Sequence, residues 1–230
     1  MGKIKAILWD IDNTLLDFQA AEKAGVRIGF AAFGMGECTD EMIERYSEIN
    51  RKYWEALERG EMSKPEILVG RFREFFEKEG LPVEKASEFN DLYQVNLGET
   101  ICYNDHSYEL VKSLKGKYLQ YAASNGTKAA QEKKLMKSGF MDLFDGVFIS
   151  EDIGTEKPMA GFYEAVFQAV PGIRPEEFLM VGDSLTSDIK GGNDAGMLTC
   201  WYNPKGKPNT QKEPADYEIR SLGEIQGILE

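Results

Sequence analysis

A chain of 230 residues has room for one large domain, or for a core of roughly 150 residues carrying a smaller insert. With 42% hydrophobic and 29% charged residues, its composition is that of an ordinary globular protein, neither disordered nor fibrous. The formal net charge is −12, from 27 basic against 39 acidic residues with no run of Lys or Arg, which argues against a nucleic-acid polymer as partner and leaves room for one small anion in a local pocket.

In chain order, Ile4 to Trp9 reads as a short buried strand that is interrupted at Asp10, much too soon for the apolar core of a signal peptide. Met1-Gly2 is followed by Ala6 where a myristoylation motif wants Ser or Thr. The stretch from about Phe18 to Ile101 then shows helix after helix and no convincing strand. Met42, Tyr46, Ile49, Tyr53 and Leu57 recur at steps of three and four behind a Thr39 cap, predicting an amphipathic helix that ends near Gly60. Ser63-Lys64-Pro65-Glu66 is a capping-box start with Pro in the first turn, and its helix runs to Gly80. A further helix is expected over Glu84 to Leu97. Beyond the insert, strands are expected at Tyr118 to Ala123, Gly146 to Ile149, Phe178 to Val181 and Leu198 to Tyr202, with helical patterns between most of them. That layout predicts an α/β fold, a doubly wound, Rossmann-like parallel sheet covered by helices on both faces. Asn203 to Pro214 reads as a polar surface loop.

Cys38, Cys102 and Cys200 are odd in number, far apart and form no CxxC pair, so neither a disulfide framework nor a zinc site is predicted and a reducing compartment fits. No apolar run approaches the roughly 20 residues of a membrane span. The expectation is a cytoplasmic protein with no membrane partner.

Chemistry-bearing residues gather at predicted strand ends. Asp10-Ile11-Asp12-Asn13-Thr14 follows the first strand, where an open α/β sheet places its ligands. Two carboxylates two residues apart can share a pocket, one attacking and the other transferring protons; a solvated turn capping the next helix is the bland alternative. After the second strand, Ser124-Asn125-Gly126-Thr127 offers hydroxyl, amide and backbone N–H groups at a helix start, suited to phosphate oxygens through Ser124 and Asn125. Past the third, Lys157 precedes Pro158, which fits the first turn of a helix holding Phe162, Ala165, Val166 and Ala169, and such a lysine reaches a bound phosphate as a point charge. The fourth strand ends in Asp183, with Asp188 shortly after, hard oxygen donors of the kind Mg²⁺ takes.

Each segment alone is weak, but four in this order resemble the haloacid dehalogenase-like superfamily over essentially the whole chain, matching its motifs at Asp10/Asp12, Ser124, Lys157 and Asp183/Asp188. The resemblance implies that Asp10 attacks phosphorus to form an aspartyl-phosphate, while Asp12 protonates the leaving oxygen and then activates the hydrolytic water. It implies that Ser124 and Lys157 hold the phosphoryl group, that Asp10, the Asp12 backbone carbonyl and Asp183 bind Mg²⁺, and that Thr14 and Asp188 support the site. The insert becomes a helical cap over residues 17–101, with the core in 1–16 and 102–230. Asp12 separates phosphate-ester chemistry from the dehalogenase branch, whose members lack it. The only histidine, His106, lies outside every motif.

Leu16 to Ala21, Ser150-Glu151-Asp152 and Gly182 to Pro204 further resemble the YjjG-like nucleotidases, implying a small phosphate monoester, a pyrimidine nucleoside 5′-monophosphate, as substrate. The alternatives are a sugar-phosphate phosphatase or phosphomutase and, outside enzymes, a non-catalytic phosphate-binding protein. Gly191 to Gly196 is not GxGxxG and reads as tight packing of a turn. Tyr53, Trp54 and Phe72, at helical spacing, read as the core of the cap rather than as base-stacking groups.

Overall fold

β1 (Ala6–Asp10) is buried along its whole length, as a strand in the middle of a covered parallel sheet must be. In the computed structural model, which describes residues 4–210 and 213–230, it pairs in parallel with β2 (Leu119–Ser124) on one side and β4 (Phe178–Gly182) on the other. β3 (Gly146–Ile149), β5 (Leu198–Tyr202) and β6 (Tyr217–Ile219) complete a sheet of order β3-β2-β1-β4-β5-β6 in which every pairing is parallel. Met1 and Gly2, and the 211–212 part of the polar loop, lie outside the described residues.

The chain divides into two compact units, residues 1–18 with 101–230, and residues 19–100. In the first, side chains alternate between two packed layers. Ile7, Trp9, Leu179 and Val181 point into a core with Val111, Leu135 and Ile225, whereas Ala6, Leu8, Phe178 and Met180 point into another with Phe162 and Val166. The first layer is covered by α5 (Ser107–Leu114), α6 (Lys128–Ser138) and α10 (Ile225–Leu229), the second by α8 (Ala160–Ala169), which makes the sheet doubly wound as expected. Two short helices, α7 (Ser150–Ile153) and α9 (Lys190–Asp194), follow β3 and β4.

The second unit holds α2 (Asp40–Glu58), α3 (Lys64–Glu79) and α4 (Ala86–Glu99), together with all but the first residue of α1 (Phe18–Phe33). The Thr39 hydroxyl accepts from the Met42 N–H at 3.3 Å, Glu66 accepts from the Ser63 N–H at 2.8 Å, and Gly80 closes α3 in a left-handed conformation, φ 67°. Its interior is aromatic: Phe30, Tyr46, Phe72, Phe75, Phe76, Phe89 and Tyr93 are buried, and Tyr46 stacks on Phe72 at 4.8 Å between ring centroids. Phe72 is therefore core, while Tyr53 and Trp54 are half-buried.

Two expectations shift. The edge strand β6 was not predicted, because three residues with a glutamate in the middle carry no readable alternation. The helix holding Phe162 starts at Ala160, not at Pro158, because Met159, in extended conformation, takes the cap position. Gly191 and Gly192 do serve packing, since a Cβ on either would lie 2.3 Å from the Tyr163 hydroxyl or 2.7 Å from Thr199. All three cysteines are free, and among the described residues no helix is long and apolar enough to cross a membrane.

Candidate active site

β1, β2 and β4 are neighbours in a parallel sheet, so their carboxyl ends open onto one place, and the strand order reverses there. β1 delivers Asp10. The chain then leaves the sheet through a tight turn in which the N–H groups of Leu15 and Leu16 both donate to the Ile11 carbonyl, with Asn13 at φ 65°. This turn brings Thr14 back over Asp10, where its hydroxyl donates to Oδ2 at 2.9 Å. Thr14 is fully buried.

Lys157, 1% exposed, enters from the loop after β3. Its Nζ donates to Asp10 Oδ1 at 2.8 Å, to Asp188 Oδ1 at 2.7 Å and to the Ala123 carbonyl at 3.0 Å, using all three of its hydrogens. Asn125 fixes the backbone of this lysine: its Nδ2 donates to the Lys157 carbonyl and its Oδ1 accepts from the Lys157 N–H, both at 2.8 Å. The Asn125 side chain is thus occupied with positioning Lys157. Ser124 is buried at the end of β2, and its Oγ accepts from the Gly126 N–H at 3.0 Å.

From β4 come Asp183, half-buried, and Asp188, whose Oδ2 accepts from the Ser184 N–H at 3.1 Å. Gly182 is required by this approach, because a Cβ there would lie 2.2 Å from Asp188 Oδ2. One oxygen each of Asp10, Asp183 and Asp188 all lie within 4.8 Å of one another. The Asp12 side chain is not in this group. Its carboxylate turns to α6, where Gln131 Nε2 donates to Oδ2 at 2.6 Å and Lys134 Nζ lies 2.5 Å from Oδ1.

Crowding of like charge shows in the acidities. The Asp10 carboxyl is pushed up to about 7 by its burial first and the Asp188 charge next, against the pull of Lys157. Asp183 is held well above the usual carboxylate range by burial, then by Asp10 and Asp188. Burial works against the Lys157 charge, but Asp10 and Asp188 outweigh it and hold the ammonium above the ordinary lysine range. Three carboxylates around one ammonium leave an acidic surplus that one hard divalent cation would neutralise. Their all-oxygen donor set fits Mg²⁺, which takes a few protein carboxylates and keeps several waters.

Of the sequence-predicted residues, Asp10, Thr14, Lys157, Asp183 and Asp188 meet directly around one point, Ser124 ends the adjacent strand, Asp12 stands beside them, and Asn125 acts on Lys157 from behind. Gln131 and Lys134 were missed. They stand on the buried face of α6 with Leu135 and Ser138, and a glutamine and a lysine on a helix's buried stripe just after a strand-end loop is the signal that would have found them.

A parallel, doubly wound sheet with clustered acids and one buried lysine at its carboxyl edge defines an α/β enzyme that handles a small anion together with a divalent cation. Residues 4–196 match the model of the haloacid dehalogenase-like hydrolases, and the chain belongs to that family. It is 38% identical over 233 residues to the pyrimidine 5′-nucleotidase PynA of Streptococcus pneumoniae, covering 98% of this chain and 95% of that protein. To the pyrimidine 5′-nucleotidase YjjG of Escherichia coli it is 27% identical over 223 residues, covering 97% and 96%. The crystal structure of the HAD-hydrolase YfnB of Bacillus subtilis, bound to magnesium, matches with a TM-score of 0.93 at 36% identity and covers 99% of each chain.

Proposed function

We propose that this hydrolase is a Mg²⁺-dependent phosphatase of nucleoside 5′-monophosphates carrying pyrimidine bases, working through an aspartyl-phosphate on Asp10. The observation that carries the chemistry is the pairing of a buried, doubly held Asp10 with a second carboxylate, Asp12, outside the acidic cluster. The substrate class rests on the likeness to PynA and YjjG over nearly the full chain.

In the first half-reaction an Asp10 oxygen attacks phosphorus and the bond from phosphorus to the ester oxygen breaks. Asp12 gives its proton to that departing oxygen, which an alkoxide leaving group requires. In the second half, water attacks the same phosphorus and yields its proton to Asp12 as the bond to Asp10 breaks, releasing phosphate and restoring both carboxyls. Lys157 and Ser124 hold the transferring group, with Asn125 positioning Lys157. Thr14 and Lys157 fix the rotation of Asp10 about its side-chain bonds, and Asp188 holds Lys157 in register. Asp10, Asp183 and, through its backbone carbonyl, Asp12 would hold Mg²⁺, which when bound supplies positive charge to the equatorial oxygens. The residues 19–100 unit acts as the cap that selects among small substrates.

Phosphate release from a panel of pyrimidine and purine monophosphates and sugar phosphates, with and without Mg²⁺, tests the reading. Pyrimidine monophosphates should lead, and Asp10→Asn should lower kcat by about 10⁴-fold or more. Equal turnover of sugar phosphates would remove the nucleotidase assignment and favour the sugar-phosphate alternative, while an active Asp10→Asn enzyme would remove the covalent mechanism.

A further inference from the structure

We infer that Lys134 and Gln131 are positioning residues for proton transfer by Asp12, so that α6 aims the acid/base while the loop before it borders the phosphate site. The inference rests on the phosphatase reading above.

The arrangement is specific. Both Asp12 oxygens are taken, one by each residue, and the two donors stand three apart on one face of α6. A carboxylate gripped at both oxygens cannot rotate about its terminal bond, so its orientation is set by the helix. Lys134 is 2% exposed. Its ammonium sits 5.3 Å from the centroid of the Phe18 ring, and its only carboxylate partner among the described ion pairs is Asp12. Burying a lysine here is unfavourable unless it is matched, which ties its placement to Asp12.

Gln131 adds an independent observation. It is buried, its Nε2 points at Asp12, and its Oε1 has no hydrogen-bond partner among the described residues. A buried amide left with an idle acceptor is disfavoured, so its orientation is dictated by the need to donate to the carboxylate. The neighbouring backbone makes way for it: a Cβ at Gly126 would lie 2.2 Å from Gln131 Nε2. Gly126 is also the residue whose N–H donates to Ser124 Oγ. The same short segment therefore shapes the phosphate side and admits the side chain that orients the acid/base.

An ion pair that merely stabilises the fold would behave differently from one that aims a proton. The value of kcat/KM reports on steps up to release of the leaving group, so it isolates the half-reaction in which Asp12 protonates the ester oxygen. p-Nitrophenolate leaves without help; phenolate needs the proton far more. The two aryl phosphates share shape and do not depend on nucleotide selectivity.

For Lys134→Met and separately for Gln131→Leu, kcat/KM with Mg²⁺ for phenyl phosphate should fall by about thirtyfold or more, and for p-nitrophenyl phosphate by about threefold or less. Lys134→Arg should recover part of the difference, and melting temperatures would identify a variant that has lost its fold. If Lys134→Met does not fold, Gln131→Leu carries the test alone. Equal losses on both esters in a folded variant would overturn the inference while leaving the phosphatase reading intact. A parent enzyme that releases phosphate from neither aryl ester nor a pyrimidine monophosphate would overturn both.

Discussion

In the α/β unit, Lys157 touches two carboxylates directly and a third, that of Asp183, lies beside them; in the helical unit, Glu22 and Arg71 are both buried and are linked through Asn50. Asn50 stands between them, donating from Nδ2 to Glu22 at 2.7 Å and accepting from Arg71 at 2.6 Å. Ser47 completes the Glu22 side, and Asn90 and the Leu68 carbonyl complete the arginine side. The Arg71 guanidinium also lies 5.2 Å from the ring centroids of Phe72 and Tyr93. The helical cluster is balanced in charge, one acid joined to one base through Asn50, whereas the strand-end cluster keeps an acidic surplus. A network balanced in charge is a structural device. One left open in charge is suited to completion by ligands, on the reading proposed above a cation and the group transferred to Asp10.

The largest effect that would separate the two belongs to Arg71. Arg71→Ala leaves Glu22 as an uncompensated buried acid and should cost about 3–5 kcal/mol of stability, read as a lowered melting temperature. Pairing Arg71→Met with Glu22→Gln should restore more than half of that loss, because the isolated charge is gone. If the structural assignment is right, Mg²⁺ affinity of the folded Arg71 variants stays at the parent value. A loss of Mg²⁺ affinity matching the loss of stability would break the distinction.

Next comes the pH dependence of stability. Asp10 rises from an ordinary value of 3.8 to about 7 on folding, and Glu22 is also raised, by burial first, against the hydrogen bonds from Ser47 and Asn50. Between these limits the folded protein binds more protons than the unfolded chain, so the metal-free protein should lose stability as pH climbs from about 4 to about 7. Mg²⁺ completes only the strand-end cluster. Its stabilisation should therefore be small near pH 5, where protons compete for Asp10 and Asp183, and approach about 2.7 kcal/mol above pH 7 at a hundred times its dissociation constant. Melting curves with and without MgCl₂ across this range measure it. A Mg²⁺ increment independent of pH would mean that Asp10 and Asp183 are not the groups the cation engages.

How legible each cluster was in the sequence follows from how it is encoded. Asp10, Ser124 and Asp183 lie at or just beyond strand ends, where the change from apolar run to polar turn marks them, and a parallel sheet brings such ends together by geometry alone, while Lys157, beyond α7, was marked by the Pro158 that follows it. α2 and α3 were legible because Thr39, Ser63 and Gly80 are cap residues with a local mechanism. Gln131, Lys134, Glu22, Asn50 and Arg71 were not. All five lie inside helices, where a polar residue on the buried stripe looks like a solvated one until its tertiary partner is known. The contact of the Asn125 side chain with the Lys157 backbone was not legible either, because the distance between them is set by the β2–β3 pairing rather than by spacing.

The smallest effect sharpens the comparison most, because it asks the same question of one hydroxyl in each unit. Thr14 donates to Asp10, and Ser47 donates to Glu22. Thr14→Val keeps the shape and removes the donor. In the metal-free protein Asp10 already disfavours its charge, so losing a contact to the charged form should shift the melting temperature by only about 2–4 °C. The catalytic effect is larger in proportion: an Asp10 free to rotate should lower kcat about tenfold, near 1.4 kcal/mol, and Thr14→Ser should restore it. Ser47→Ala should do the reverse, costing about 1–2 kcal/mol of stability with kcat unchanged. Equal effects of Thr14→Val and Ser47→Ala on kcat would mean that the helical cluster, too, takes part in the chemistry.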